Sequence, residues 1–154
     1  MNSEEFLNWI TVSPQALNSN ELSEWAARPE CGAIVTFCGT ARVSSSTGNK
    51  IRELEYDTDI GLAEARMHEV VAVARSRWPQ IVAVAIHHRI GTVALKEPAV
   101  VVTVSSPHRG EAFEAAQFCI DAVKSTVPMW KREVWQGGST WSLEARDIKS
   151  VHEL

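Results

Sequence analysis

No apolar run in this sequence approaches the roughly 20 residues that a membrane-spanning helix requires. The N-terminal stretch MNSEEFLNWI carries acids where a secretory leader would carry cations, so the chain reads as cytoplasmic with no membrane partner. Cysteine is scarce. The three present, Cys31, Cys38 and Cys119, are odd in number and form no CxxC pair, which argues against a disulfide framework and against a zinc site. They read as buried, inert thiols. The histidines form no ligand set either: His87 and His88 are adjacent in a strand-like run, so their side chains point to opposite faces. No metal and no other cofactor is expected. An excess of positive charge is also missing, with 15 Lys and Arg against 19 Asp and Glu and a formal net charge of -4. Broad phosphate-backbone binding needs a basic surface, so nucleic acid is not expected as a partner and any anion site must be local.

What is present is ordinary globular composition, 45% hydrophobic and 22% charged over 154 residues. That fits a single domain over residues 1–154, long enough to bury about two-thirds of its unfolded surface. Phe6 to Val12 reads as a short strand, and SPQALNSNELSEWAA as one or two short helices starting at Ser13-Pro14 and Asn20. CGAIVTFCGTARV, rich in β-branched and apolar residues, reads as a buried strand. The polar loop SSSTGNK follows, and then IRELEYD, which alternates as a half-buried strand. From Asp59 to Trp78 apolar residues recur at spacings of three and four, predicting a long amphipathic helix that Pro79 ends. IVAVAIHH, TVALKE and AVVVTVSS predict three more strands around a turn at Gly91.

A second long helix is expected from near Ser106-Pro107 to about Thr126, with Phe113, Ala116, Ile120, Val123 and Val127 on one face. Pro128 stops it. MWKREVW and TWSLEA then read as closing strands around the turn QGGS. The expected architecture is α+β, two main helices on a largely antiparallel sheet.

Three places concentrate cations. VTVSSPHRGEAF sets His108 and Arg109 in the first turn of a helix, where free N–H groups and the positive dipole end attract anions. The plainer alternative there is a surface pair of Arg109 with Glu111 or Asp121 while His108 packs. Arg42 ends the strand GAIVTFCGTAR; a guanidinium there can fork onto phosphate or carboxylate, with Gly39 permitting close backbone approach. It can equally be an arginine that simply meets solvent at a strand end. KSTVPMWKRE holds Lys124 at the margin of the helix stripe and, beyond the proline, Lys131 and Glu133 on one strand face with Trp130 and Arg132 on the other. Helix end and strand start can bring both lysines to one cleft. Partly desolvated by Met129 and Trp130, two close ammonium groups would each favour loss of the other's proton, which suits a base or nucleophile.

Taken together and in this order, GAIVTFCGTAR, LEYD, HHRIG, SSPHRGEAF, KSTVPMWKRE and the W before SLEAR resemble the large, catalytic subunit of molybdopterin synthase, over roughly Cys31 to Arg146. The resemblance implies a hammerhead-type α+β fold and a homodimer. Each end would carry one small ubiquitin-like sulfur-carrier subunit, making a heterotetramer. It implies a sulfurtransferase whose substrate is cyclic pyranopterin monophosphate and whose donor is the thiocarboxylate on the carrier's C-terminal Gly-Gly tail. Two sulfur transfers would build the dithiolene of molybdopterin. By motif, Lys124 and Lys131 match the active-site lysines, and His108, Arg109 and Arg42 match cations that would hold the phosphate. Thr40, Ala41 and Arg42, with Lys131, Arg132 and Glu133, would line the pterin pocket, and Arg146 matches an arginine that reaches the neighbouring subunit's pocket. DTD after LEY, where an aromatic is common, implies that Asp59 alters the start of the long helix or a partner contact. Ala41 stands where a larger aliphatic is frequent. The competing class is a non-catalytic module that uses the same pocket to hold a phosphorylated metabolite or a Gly-Gly tail.

Overall fold

A computed structural model describes residues 7–45, 47–143 and 149–154. Among the described residues eight strands form two four-stranded sheets. The first has the order β1-β4-β6-β2, with β1 Asn8–Ser13, β2 Ala33–Thr40, β4 Val84–Arg89 and β6 Pro98–Ser106. The second has the order β5-β3-β7-β8, with β3 Ile51–Asp57, β5 Gly91–Ala94, β7 Trp130–Trp135 and β8 Gly138–Leu143. Among the described strands only β1 with β4 is parallel; the other pairings are antiparallel. The expected α+β class and antiparallel bias hold, while the strands divide between two sheets rather than forming one.

The central strands explain the division of the core. β6 is apolar apart from Thr103 and its two closing serines because both its faces are covered. Val100, Val102 and Val104 join Val84 and Ile86 in the main core under α2 Ile60–Arg77 and α3 Arg109–Thr126. Val101 and Ala85 face the other way, against Leu22 of α1 Ser19–Ala26 and the indoles of Trp9 and Trp25. Leu54, Tyr56 and Val93 of the second sheet complete the main core. Adjacent His87 and His88 take opposite faces as the strand period requires: His87 packs edge-on against Trp9, and His88 edge-on against Tyr56.

The two long helices begin and end where their sequences dictate. The Asp59 carboxylate accepts from the Leu62 N–H at 3.0 Å, so this departure from the family pattern is the N-cap of α2. Among the described residues of the N-terminal third one short α-helix forms, capped by Asn18 rather than by Ser13 or Asn20. β1 starts at Asn8, and Phe6 lies outside the described residues.

Three burial expectations are corrected. β2 is an edge strand, so Ile34 and Phe37 are exposed where a buried strand was expected. Phe113 is 62% exposed, because α3 lies on the sheet through Ala112, Ala115, Ala116 and Cys119, small residues that turn the stripe away from it. Of the thiols only Cys119 is buried, and burial pushes it up to about 12; Cys38 is exposed and Cys31 half-buried. No described helix is long and apolar enough to cross a membrane.

Candidate active site

α3 delivers Lys124 to the junction of the two sheets. The helix stops at Val127, whose extended backbone (φ -86°, ψ 120°) is what a following proline imposes. Its last carbonyls are satisfied from elsewhere: the Arg66 guanidinium of α2 donates to the Thr126 carbonyl at 3.0 Å, and the Lys149 N–H to the Ser125 carbonyl at 2.9 Å. The Thr58 hydroxyl, just before α2, donates to the Pro128 carbonyl. β7 then leaves the turn antiparallel to β3, in a register that sets Lys131 opposite Tyr56, Arg132 opposite Glu55 and Glu133 opposite Leu54. Alternation sorts these pairs. Lys131 and Glu133 face inward with Tyr56 and Leu54, whereas Arg132 on the outer face pairs with Glu55 and lies 5.3 Å over the Trp141 ring.

The inward face opens into a cavity of about 330 Å³ that Arg42, Lys124, Lys131, Glu133, Thr40 and Tyr56 help to line. Arg42 is held there through its neighbour. The Ala41 N–H donates to the Glu97 carbonyl at 3.1 Å, and its own carbonyl accepts from the Lys96 N–H at 3.0 Å. These bonds need the β5–β6 turn, in which Lys96 takes a left-handed conformation at φ 74°. Beyond Arg42 the polar loop folds back on itself, with the Ile51 N–H on the Val43 carbonyl at 2.8 Å and the Ser45 hydroxyl on the Asn49 carbonyl at 2.7 Å. Ser44 and Ser45 thereby become part of the cavity wall.

Behind Lys124 a second, narrower cavity of about 80 Å³ runs inward to His88, sharing Thr40, Tyr56 and Lys124 with the first. Gly39 lies on its wall, but its missing side chain serves packing: a Cβ there would come within 2.7 Å of Val100 Cγ1. His88 is 5% exposed, and its Nδ1 donates to the Arg89 carbonyl at 2.8 Å. Burial lowers its pKa to about 4; the carbonyl bond opposes the shift and the positive charge of Lys124 adds to it. The ring is therefore neutral at physiological pH.

A model of the MoaE protein family matches residues 12–126. The chain belongs to the MoaE protein family. Its relatives include the molybdopterin synthase catalytic subunit of Salmonella typhimurium, 41% identical over 139 residues that cover 90% of this chain and 91% of the relative. The molybdopterin synthase catalytic subunit of Taeniopygia guttata is 37% identical over 134 residues, 87% of this chain and 86% of the relative. Among solved structures, molybdopterin synthase from Staphylococcus aureus superposes with a TM-score of 0.78 at 32% identity, covering 92% of this chain and 98% of that one.

Within this MoaE-family fold the residues singled out from sequence do not all meet. Arg42, Lys124, Lys131 and Glu133 line one cavity together with Thr40, and Ala41 is buried beside it. His108 and Arg109 line a separate surface cavity with Gly32, Pro107 and Gly110; His108 occupies the N-cap position of α3 but makes no side-chain capping bond. Arg132 is turned away, and Arg146 lies outside the described residues. Sequence reading passed over Tyr56 and His88. The alternation of LEYD, once registered against KRE, would have set Tyr56 beside Lys131. Nothing in HHRIG marks which of its two histidines reaches a cavity.

Proposed function

We propose that this chain is the catalytic subunit of a molybdopterin synthase. It transfers sulfur from the C-terminal thiocarboxylate of a small ubiquitin-like carrier to cyclic pyranopterin monophosphate. The observation that carries the reading is the convergence of Arg42, Lys124 and Lys131 on one cavity of a chain whose net charge is -4. Both the phosphate of the substrate and the carrier's tail are anionic, and local cations in a partly water-excluded site bind them far more strongly than scattered surface charge would. The names of the relatives as catalytic subunits support a partner subunit as well.

Arg42 holds the phosphate. Lys124 and Lys131 stabilise developing negative charge and move protons while the carbon–sulfur bonds form and the cyclic phosphate opens. Thr40, Ala41 and Glu133 shape the pterin pocket. His108 and Arg109 form a second anion-binding surface on the same chain, and a homodimer, with one carrier on each subunit, is the arrangement that lets one copy's surface serve the other copy's pocket. Arg146 is proposed to reach across in the same way. The chain acts as a single domain, in the cytoplasm.

The test mixes the purified chain with thiocarboxylated carrier and cyclic pyranopterin monophosphate and follows molybdopterin formation. Conversion is expected. Tail and phosphate binding without any sulfur transfer would favour the non-catalytic module instead.

A further inference from the structure

His88 is a costly residue to bury, and its position explains why it is there. It projects from the central strand β4 into the narrow cavity behind Lys124, against Tyr56 and below the last turns of α3. Its ring orientation is fixed twice, by the edge-on contact with Tyr56 at 5.0 Å between centroids and by the Nδ1–H bond to the Arg89 carbonyl at 2.8 Å. A carbonyl oxygen only accepts, so the proton of the neutral ring sits on Nδ1 and Nε2 keeps a lone pair. Apart from Thr40 the other walls are apolar, among them Ala99, Val100, Ile120 and Val123, and Lys124 supplies the one cationic side chain among the residues that line it. A fixed neutral acceptor and an ammonium thus share a small, largely apolar space.

We propose that His88 is a positioning residue for Lys124: its Nε2 accepts from the lysine ammonium when Lys124 turns into the inner cavity, giving the lysine a defined inward rest position beside the substrate pocket. The interaction is one between a neutral acceptor and a charged donor, the stronger kind of hydrogen bond, and it strengthens in largely apolar surroundings. Lys124 borders both cavities, so its side chain stands where inner cavity and substrate pocket adjoin. Burial keeps the imidazole neutral down to about 4, so the acceptor is available throughout the physiological range. This rests on the lysine cavity being the catalytic site. His87, in the next position but on the opposite face against Trp9, provides a built-in control.

Two variants separate positioning from packing. His88→Asn keeps a donor where Nδ1 stood and has no atom in place of Nε2, whereas His88→Gln carries an amide oxygen out to that place. Side-chain order at Lys124 is read in the isolated chain by NMR relaxation of its ε-methylene. The single-turnover rate is read with thiocarboxylated carrier and cyclic pyranopterin monophosphate, and the thermal midpoint alongside. His88→Asn should lower Lys124 order and cut the rate about tenfold or more, His88→Gln should regain most of both, and His87→Gln should leave Lys124 order unchanged. Equal Lys124 order in wild type, His88→Asn and His88→Gln, or rate losses that merely follow the thermal midpoints, would overturn the proposal. The order measurement needs no turnover, so it stands apart from the catalytic reading. That reading fails instead if Lys124→Ala turns over normally in the same assay.

Discussion

The Thr58 hydroxyl donates to the carbonyl of Pro128, tying the loop before α2 to the turn that separates Lys124 from Lys131. Together with the Arg66 bond to the Thr126 carbonyl, it fixes the turn from the α2 side. The helix end carrying Lys124 and the strand start carrying Lys131 are thereby held at one spacing.

Thr58→Val keeps the side-chain shape and removes the donor. It should cost about 1 kcal/mol of stability by urea unfolding, with a single-turnover rate reduced about tenfold because the lysines lose their mutual placement. A rate loss no larger than the stability loss accounts for would mean that the turn is not a positioning device.

Gly39→Ala puts a methyl group 2.7 Å from Val100 Cγ1 and 3.3 Å from Phe37 Cε1. Such overpacking should destabilise the chain by about 1–3 kcal/mol, and Val100→Ala in the same chain should restore much of it by making room. Chemical denaturation of the single and double variants measures the coupling; additive losses would contradict the contact.

His87 and His88 are both held neutral by burial, with pKa values lowered from 6.5 to about 4. A depressed histidine pKa means that the unfolded chain binds more protons below 6.5, so stability is full above about pH 6.5 and is lost as pH falls towards 4. Each histidine adds up to about 1.4 kcal/mol per pH unit in that window. Urea midpoints from pH 7.5 to 4.5 should fall accordingly, and His87→Leu should flatten the slope. An unchanged slope in that variant would show that His87 does not titrate this way.

Much of this was legible in the sequence. Proline and apolar spacing fixed α2 and α3, and the Val127-Pro128 stop with KRE alternation set Lys124, Lys131 and Glu133 towards one cleft and Arg132 away from it. What stayed hidden depends on long-range pairing. β2 looks buried because its composition is apolar, but its place at the sheet edge leaves Ile34 and Phe37 exposed. Tyr56 and His88 come to line cavities beside Lys124 only when two sheets meet under α3, a relation that no local pattern encodes. The SPHR turn read correctly as a helix start, yet sequence order alone could not tell that it opens onto a different surface from the lysines.

The most direct test is single-turnover conversion of cyclic pyranopterin monophosphate by the complex with thiocarboxylated carrier, comparing wild type with Lys124→Ala and Lys131→Ala. Lys124 is exposed and Lys131 half-buried, so truncation should change stability by about 0.5 kcal/mol or less at Lys124 and little more at Lys131. Conversion should be abolished by Lys124→Ala and reduced at least about a hundredfold by Lys131→Ala. Undiminished conversion by a folded Lys124→Ala chain would contradict the assignment of this cavity as the place where sulfur is transferred.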